Sequence, residues 1–334
     1  LTEEQRRRRL VGRLLAARGF VEALAYPFLS ADVLDRLGID DSDPRRAAVR
    51  VANPLDEAEP LLRTTLLPGL LGVLRRNVAR GTASVALYEI GSVFRRRTSP
   101  SRAPRPAVDR RPSDEEIAAL EAALPHQPLH LAIAVAGEVE RAGWWGPGRT
   151  ASWADVVQAV RDVATVLRVP VTVGAADAAP WHPGRCAAIR VGDQVVGHAG
   201  ELHPRVVAAL ELPERTCVAE VDLSALWAVG DASFSAREVS TFPVATLDVA
   251  VVVAAAVPAA DVEAALVDGA GPLLEGIRLF DVYTGPPVPE GRKSLAFTLR
   301  FRAPDRTLST DEVTTLRDAA VAEAARRVGA VLRG

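Results

Sequence analysis

The chain has no methionine, a single lysine (Lys293), two cysteines (Cys186 and Cys217) and only 5% aromatic residues. Two cysteines without a CxxC pair fit a reducing compartment and argue against a structural zinc site. The longest apolar run, residues 249–260, falls far short of the roughly 20 residues that span a bilayer. No charged-then-apolar signal segment opens the chain, so the sequence reads as cytoplasmic, with no membrane partner. Nor is there an excess of one charge: 40 basic against 42 acidic residues leave −2, and no basic field announces nucleic acid. The missing initiator methionine, with a helix signal directly after Leu1, suggests a piece of a longer chain.

What remains is an ordinary globular composition, 49% hydrophobic and 25% charged over 334 residues, which suggests about two domains. It excludes a mainly disordered chain, a collagen-like fibre and a disulfide scaffold. The abundant alanine and the 39 arginines read as coding bias.

Thr2, with Glu3 and Glu4, predicts a capped helix that carries Leu10, Val11, Leu14 and Leu15 on one stripe and ends at Gly19. Pro68 and Gly81 bracket another helix. Residues 85–94 read as a strand with Gly91 as a bend or bulge, and residues 129–136 as a second strand. Ser152 caps a helix whose Val156, Val157, Val160, Val163, Ala164 and Leu167 share a face. Residues 187–191 and 195–198, joined at Gly192-Asp193, form a hairpin, and 218–223 a further strand. The last hundred residues read β-α-β-β-α-β, with a Ser309/Glu312 capping box opening the second helix. The boundary falls between residues 233 and 240, giving domains 1–235 and 238–334.

His182, Cys186, His198 and His203 invite a metal reading. Pro183 and Gly184 predict a turn there, however, and no second ligand pair has zinc-like spacing, so no metal is expected. The run from Gly143 to Arg149 lacks the GK[ST] ending of a phosphate loop and reads as a turn with packed tryptophans. Residues 95–112 hold seven arginines and read as a solvated basic loop rather than an RNA arm. No GxSxG or HExxH occurs, and no catalytic residue is assigned.

Residues 87–97 resemble motif 2 of class II aminoacyl-tRNA synthetases, a strand ending in an aromatic residue, Arg, any residue and an acid. In that family the arginine neutralises the ATP α-phosphate. Phe94 and Arg95 match, but Arg97 stands at the acidic position. The third motif's Gly-rich stretch and arginine are missing around residues 221–226. The resemblance implies a synthetase fold with a degenerate ATP motif.

The runs Asn53 to Glu57, Leu62 to Leu71, Trp181 to Arg185 and Gly200 to Pro204 resemble the catalytic-like domain of bacterial phenylalanyl-tRNA synthetase β subunits. Phe242-Pro243, Leu279 to Tyr283, Glu290 to Phe297 and Arg306 to Leu308 resemble the ferredoxin-fold anticodon-binding domain that ends those subunits. The resemblance implies an α+β chain: a class II synthetase-like antiparallel sheet with flanking helices, followed by a ferredoxin-like βαββαβ domain. It implies pairing with a catalytic α subunit in an (αβ)₂ tetramer and binding of tRNA-Phe. ATP and magnesium would act in the holoenzyme, with no cofactor in this fragment. Editing and a magnesium-associated domain belong to parts of the family's β subunit before Leu1.

On the terminal domain the resemblance makes Tyr283 a stacking platform for a base, with Asp281 on the same strand face as a hydrogen-bond acceptor. Lys293 and Ser294, expected in the loop before the next strand, would reach the same nucleotide. Arg300 and Arg302 share one side of their strand and, with Arg278, Arg292 and Arg306, would form a phosphate-facing patch. That patch must be local, because residues 238–334 carry ten basic and thirteen acidic side chains, a net of −3. The family's arginine before Asp248 is Leu247 here. Two other readings stay open: a self-sufficient adenylate-forming ligase with altered ATP motifs, supported by Arg95 and Gly148-Arg149, and a stand-alone RNA-binding or assembly module.

Overall fold

The computed structural model describes residues 1–97, 103–229 and 240–333. The chain divides into two compact units, Leu1–Phe234 and Ser235–Gly334. Most of the expected boundary and residues 98–102 of the arginine-rich loop lie outside the described residues. No described helix is long and apolar enough to cross a membrane.

The first unit opens with helix α1 (Glu3–Ala17), where Thr2 and Gln5 complete a capping box and Val11 and Leu15 are buried. Strand β1 (Val21–Glu22) follows, then helix α2 (Leu67–Ala79), which starts on Pro68 and buries Leu67, Leu70, Leu71 and Leu74. Next come β2 (Val85–Ser92), β3 (Leu129–Ala136) and helix α3 (Trp153–Leu167), the last with every apolar residue of the expected face buried. Strands β4 (Thr172–Ala175), β5 (Trp181–Val191), β6 (Gln194–Leu202) and β7 (Cys217–Asp222) complete the unit's sheet.

These seven strands lie in the order β1-β2-β3-β7-β6-β5-β4. Only the β1–β2 pair is parallel. Side chains alternate across such a sheet, so each strand feeds two cores. From β3, Ala132, Ala134 and Ala136 join the α2 side, whereas Leu131, Ile133 and Val135 join α1 and α3.

The second unit contains β8 (Ala245–Ala254), α4 (Ala259–Ala270), β9 (Leu274–Tyr283), β10 (Arg292–Phe301), α5 (Thr310–Val328) and β11 (Val331–Leu332). The sheet order is β9-β10-β8-β11, antiparallel throughout. Val249, Val251 and Val253 of β8 and Leu295, Phe297, Leu299 and Phe301 of β10 bury one face together with residues of α4 and α5. The other face carries the alternate residues. Register shifts mark Glu275 and Phe280 as extra residues on β9, which is an edge strand.

Three expectations are corrected. Gly91 is no bulge, because β2 stays in regular register with β3 from Val85 to Ser92. Residues 182–185 form no turn but belong to β5, whose pairing with β6 jumps from Cys186↔Gly200 to Trp181↔Leu202. The tryptophans of the Gly143–Arg149 run are not packed: Trp144 is 94% and Trp145 64% exposed. They stand at the tip of a small hairpin, edge to face with centroids 5.7 Å apart.

Candidate functional site

The motif 2-like segment continues from β2 across one end of the large sheet. Beneath it lies a buried ion pair, Arg63 Nη1 to Glu89 Oε1 at 2.5 Å. Gly91 exists for this pair: a Cβ there would stand 2.2 Å from Arg63 Nη2. Burial pushes the Glu89 carboxyl above the ordinary glutamate value, an effect that Arg63 partly offsets.

Alongside runs a second buried network. Glu220 accepts from Thr65 Oγ1 and, at 3.1 Å, from the Leu66 N–H, and His130 Nδ1 lies 2.8 Å away. Arg95 Nη2 stands 3.2 Å from His130 Nε2 and 4.0 Å from Asp222 Oδ2. Since a guanidinium only donates, Nε2 accepts and Nδ1–H donates to Glu220, which fixes the tautomer. Burial works against the Glu220 charge, but the bonds from His130, Thr65 and Leu66 outweigh it and hold the carboxyl below its usual range.

Arg95 and His130 line a cleft of about 940 Å³, together with Arg45, Trp181, His198 and Asp222. Arg45 is forked onto Asp43. The Arg97 Nε donates to Leu124 O at 2.7 Å, and the Phe94 N–H is taken by Arg63 O. The motif arginines are therefore engaged by the protein itself.

His182 and His203, near this cleft, are committed as well. The Gly184 N–H donates to His182 Nδ1 and the Arg205 N–H to His203 Nδ1, which in the neutral rings leaves Nε2 carrying the proton. Burial pushes the Cys186 thiol up to about 11 and the Cys217 thiol up to about 12, away from the thiolate that binds metal.

On the second unit, Asp281, Tyr283, Ser294 and Arg300 of the residues expected to bind RNA stand on the sheet face that the helices leave open. Tyr283 pairs with Ser294 and Asp281 with Ala296, so Asp281 and Tyr283 share this face as expected. Tyr283 is 38% exposed, and its hydroxyl donates to Pro286 O at 2.7 Å. Gly285 admits the ring, since a Cβ there would lie 2.6 Å from the hydroxyl oxygen. Asp281 is exposed and makes no hydrogen bond or ion pair among the described residues.

Lys293 and Ser294 are not in a loop; both lie within β10. Alternation turns them to opposite faces. Lys293 donates to Ala255 O at 2.9 Å, and Ser294 is buried beside Tyr283. Arg300 and Arg302 share one side, and both reach Glu275, at 3.2 and 3.1 Å. Leu247 pairs with Leu299 on the helix-covered side, so an arginine in its place would not face Tyr283.

One residue escaped the sequence reading. Arg333 crosses the open face from the end of β11, its Cζ 5.6 Å above the Tyr283 ring and its Nη1 3.4 Å from Ser294 Oγ. Period-two alternation continued past Val331 would have found it.

Residues 1–223 match the family described as "Phenylalanyl tRNA synthetase beta chain CLM domain", and residues 240–333 match "Ferredoxin-fold anticodon binding domain". The chain is 57% identical over 339 residues to the phenylalanine–tRNA ligase beta subunit of Thermobifida fusca, covering all of this chain and 41% of that protein. The corresponding subunits of Streptomyces avermitilis and Mycolicibacterium paratuberculosis are 55% and 52% identical, again over all of this chain and 40% of each relative. The chain thus spans about two fifths of the length of the curated relatives it matches. With the first match alone covering well over half of its residues, the chain belongs to the phenylalanyl-tRNA synthetase beta chain family.

Proposed function

We propose that this chain serves a cytoplasmic phenylalanine–tRNA ligase as a non-catalytic scaffold, residues 1–235, joined to a binder of the tRNA-Phe anticodon loop, residues 238–334. The scaffold would hold a catalytic α subunit in an (αβ)₂ assembly. ATP and magnesium would act on that partner, because Arg95 is engaged by His130 and Asp222 and Arg97 stands where an acid is needed.

The observation that carries the RNA reading is the open sheet face. A Tyr283 ring fixed at its hydroxyl lies under the Arg333 cation and beside an unpaired Asp281. Unpaired bases in RNA loops are bound by stacking on such rings and by hydrogen bonds at their edges. A carboxylate at Asp281 accepts from a base edge that donates, as a guanine does.

The test is titration of the 334-residue chain with tRNA-Phe and a scrambled-anticodon control at two salt concentrations. Discrimination should survive the higher salt and collapse in Tyr283→Ala, since stacking contributes about 1–3 kcal/mol per base. Equal, salt-sensitive binding of both RNAs, indifferent to Tyr283, would refute anticodon readout. Phenylalanine- and ATP-dependent pyrophosphate exchange by the chain alone would instead establish a self-sufficient ligase.

A further inference from the structure

We propose that Arg300 and Arg302 form a seat for an RNA backbone phosphate and that Glu275 is its built-in occupant, which a phosphate must displace. This rests on the RNA-binding reading above and deepens it.

The placement follows from the register. Arg300 pairs with Gly276, and the extra residue Glu275 bulges in beside it, so one carboxylate stands between two arginines on the open face. Arg300 Nη2 lies 3.2 Å from Glu275 Oε2 and Arg302 Nε 3.1 Å from Glu275 Oε1.

The contacts are close but poorly aimed. Glu275 Oε2 and Arg302 Nε are buried and complete no hydrogen bond. Only Arg302 Nη1 is properly used, donating to Ser240 O at 3.1 Å. A planar carboxylate between two guanidiniums thus leaves donors unspent. A phosphate, with its tetrahedral oxygens, accepts from two forks at once. Arg300 is half exposed, so incoming RNA can reach it.

The seat lies six residues along β10 from Ser294, about 20 Å from the Tyr283 end at the usual strand rise. Arg278 stands between them on the same face, without a partner among the described residues. A strand of RNA with a base on Tyr283 would run its backbone towards Arg300.

The experiment compares the 334-residue chain with its Glu275→Gln variant, titrating tRNA-Phe and the scrambled control between 50 and 200 mM salt. Each phosphate neutralised on a single strand adds roughly 0.7 to the slope of log affinity against log salt. Freeing one or two arginines should therefore tighten low-salt binding of both RNAs. Affinity should then fall roughly 3- to 7-fold more than in the parent across that salt range. Glu275→Gln/Arg300→Gln should return most of the added slope, which separates released arginine from a general disturbance. If Glu275→Gln binds with the parent's slope while Tyr283→Ala still abolishes discrimination, the occupant role is wrong and the RNA reading stands. If neither RNA binds and neither variant matters, the RNA reading falls and this inference with it.

Discussion

Gly91→Ala tests the account of the buried pair most directly. The added methyl would lie 2.2 Å from Arg63 Nη2, 3.2 Å from its Cζ and 3.3 Å from Glu89 Oε1. Arg63 has little room to yield. Its Nε donates to Ser92 O at 2.9 Å, and Nη1 reaches Glu89 Oε1 at 2.5 Å and Ala25 O at 3.4 Å. Displacing it strands a carboxylate whose side chain is 1% exposed.

Separating a buried pair in this way costs about 3–5 kcal/mol, while Gly→Ala regains at most about 1 kcal/mol through the unfolded chain. The net loss of about 2–4 kcal/mol corresponds to a fall of roughly 5–15 °C in the midpoint for a unit of this size. Calorimetry on the full chain reads it. Glu89 already has a raised folded value, so its contribution is favourable at low pH and lost as pH rises. The Gly91→Ala deficit should therefore shrink towards acid pH as the stranded carboxyl takes up a proton. A midpoint equal to the parent's at neutral pH would refute the packing argument.

Two further predictions concern the second unit. Glu312 is held down to about 2 by the Ser309 N–H and the Arg306 guanidinium, so its contribution is present above the ordinary glutamate value and lost as pH falls through about 2. Glu312→Gln should flatten the acid limb of that unit's stability, as followed by unfolding against pH. Arg333→Ala should weaken RNA binding and lower the salt slope by roughly 0.7, read in the same titrations; an unchanged slope would remove Arg333 from the interface.

Much of this molecule was legible where local chemistry decides alone. The Ser309/Glu312 box forms, and Thr2 and Ser152 open their helices where expected. The α3 stripe needed only periodicity. Gly91 misled because glycine in a strand signals either a bulge or a close approach, and the approaching Arg63 is 28 residues away in sequence. Lys293 and Ser294 were misplaced because β10 begins at Arg292, earlier than its apolar alternation suggests. At the site, Asp281 and Tyr283 could be read from one strand. Arg333 needed only the alternation of its own strand carried two residues further, whereas Glu275 acts across strands whose register no local pattern announces.

The two extra residues on β9 have a consequence for the protein's life at high concentration. This strand is the sheet's long free edge, ten residues with Phe280 and Val282 about half exposed, the kind of border on which a second chain can add itself. Its regular spacing is broken at Glu275 and again at Phe280, leaving only Gly276 to Leu279 and Asp281 to Tyr283 in step. Neither stretch is long enough to template a stable intermolecular ladder. The same irregularity that seats Glu275 between two arginines thus keeps an apolar border from seeding aggregates.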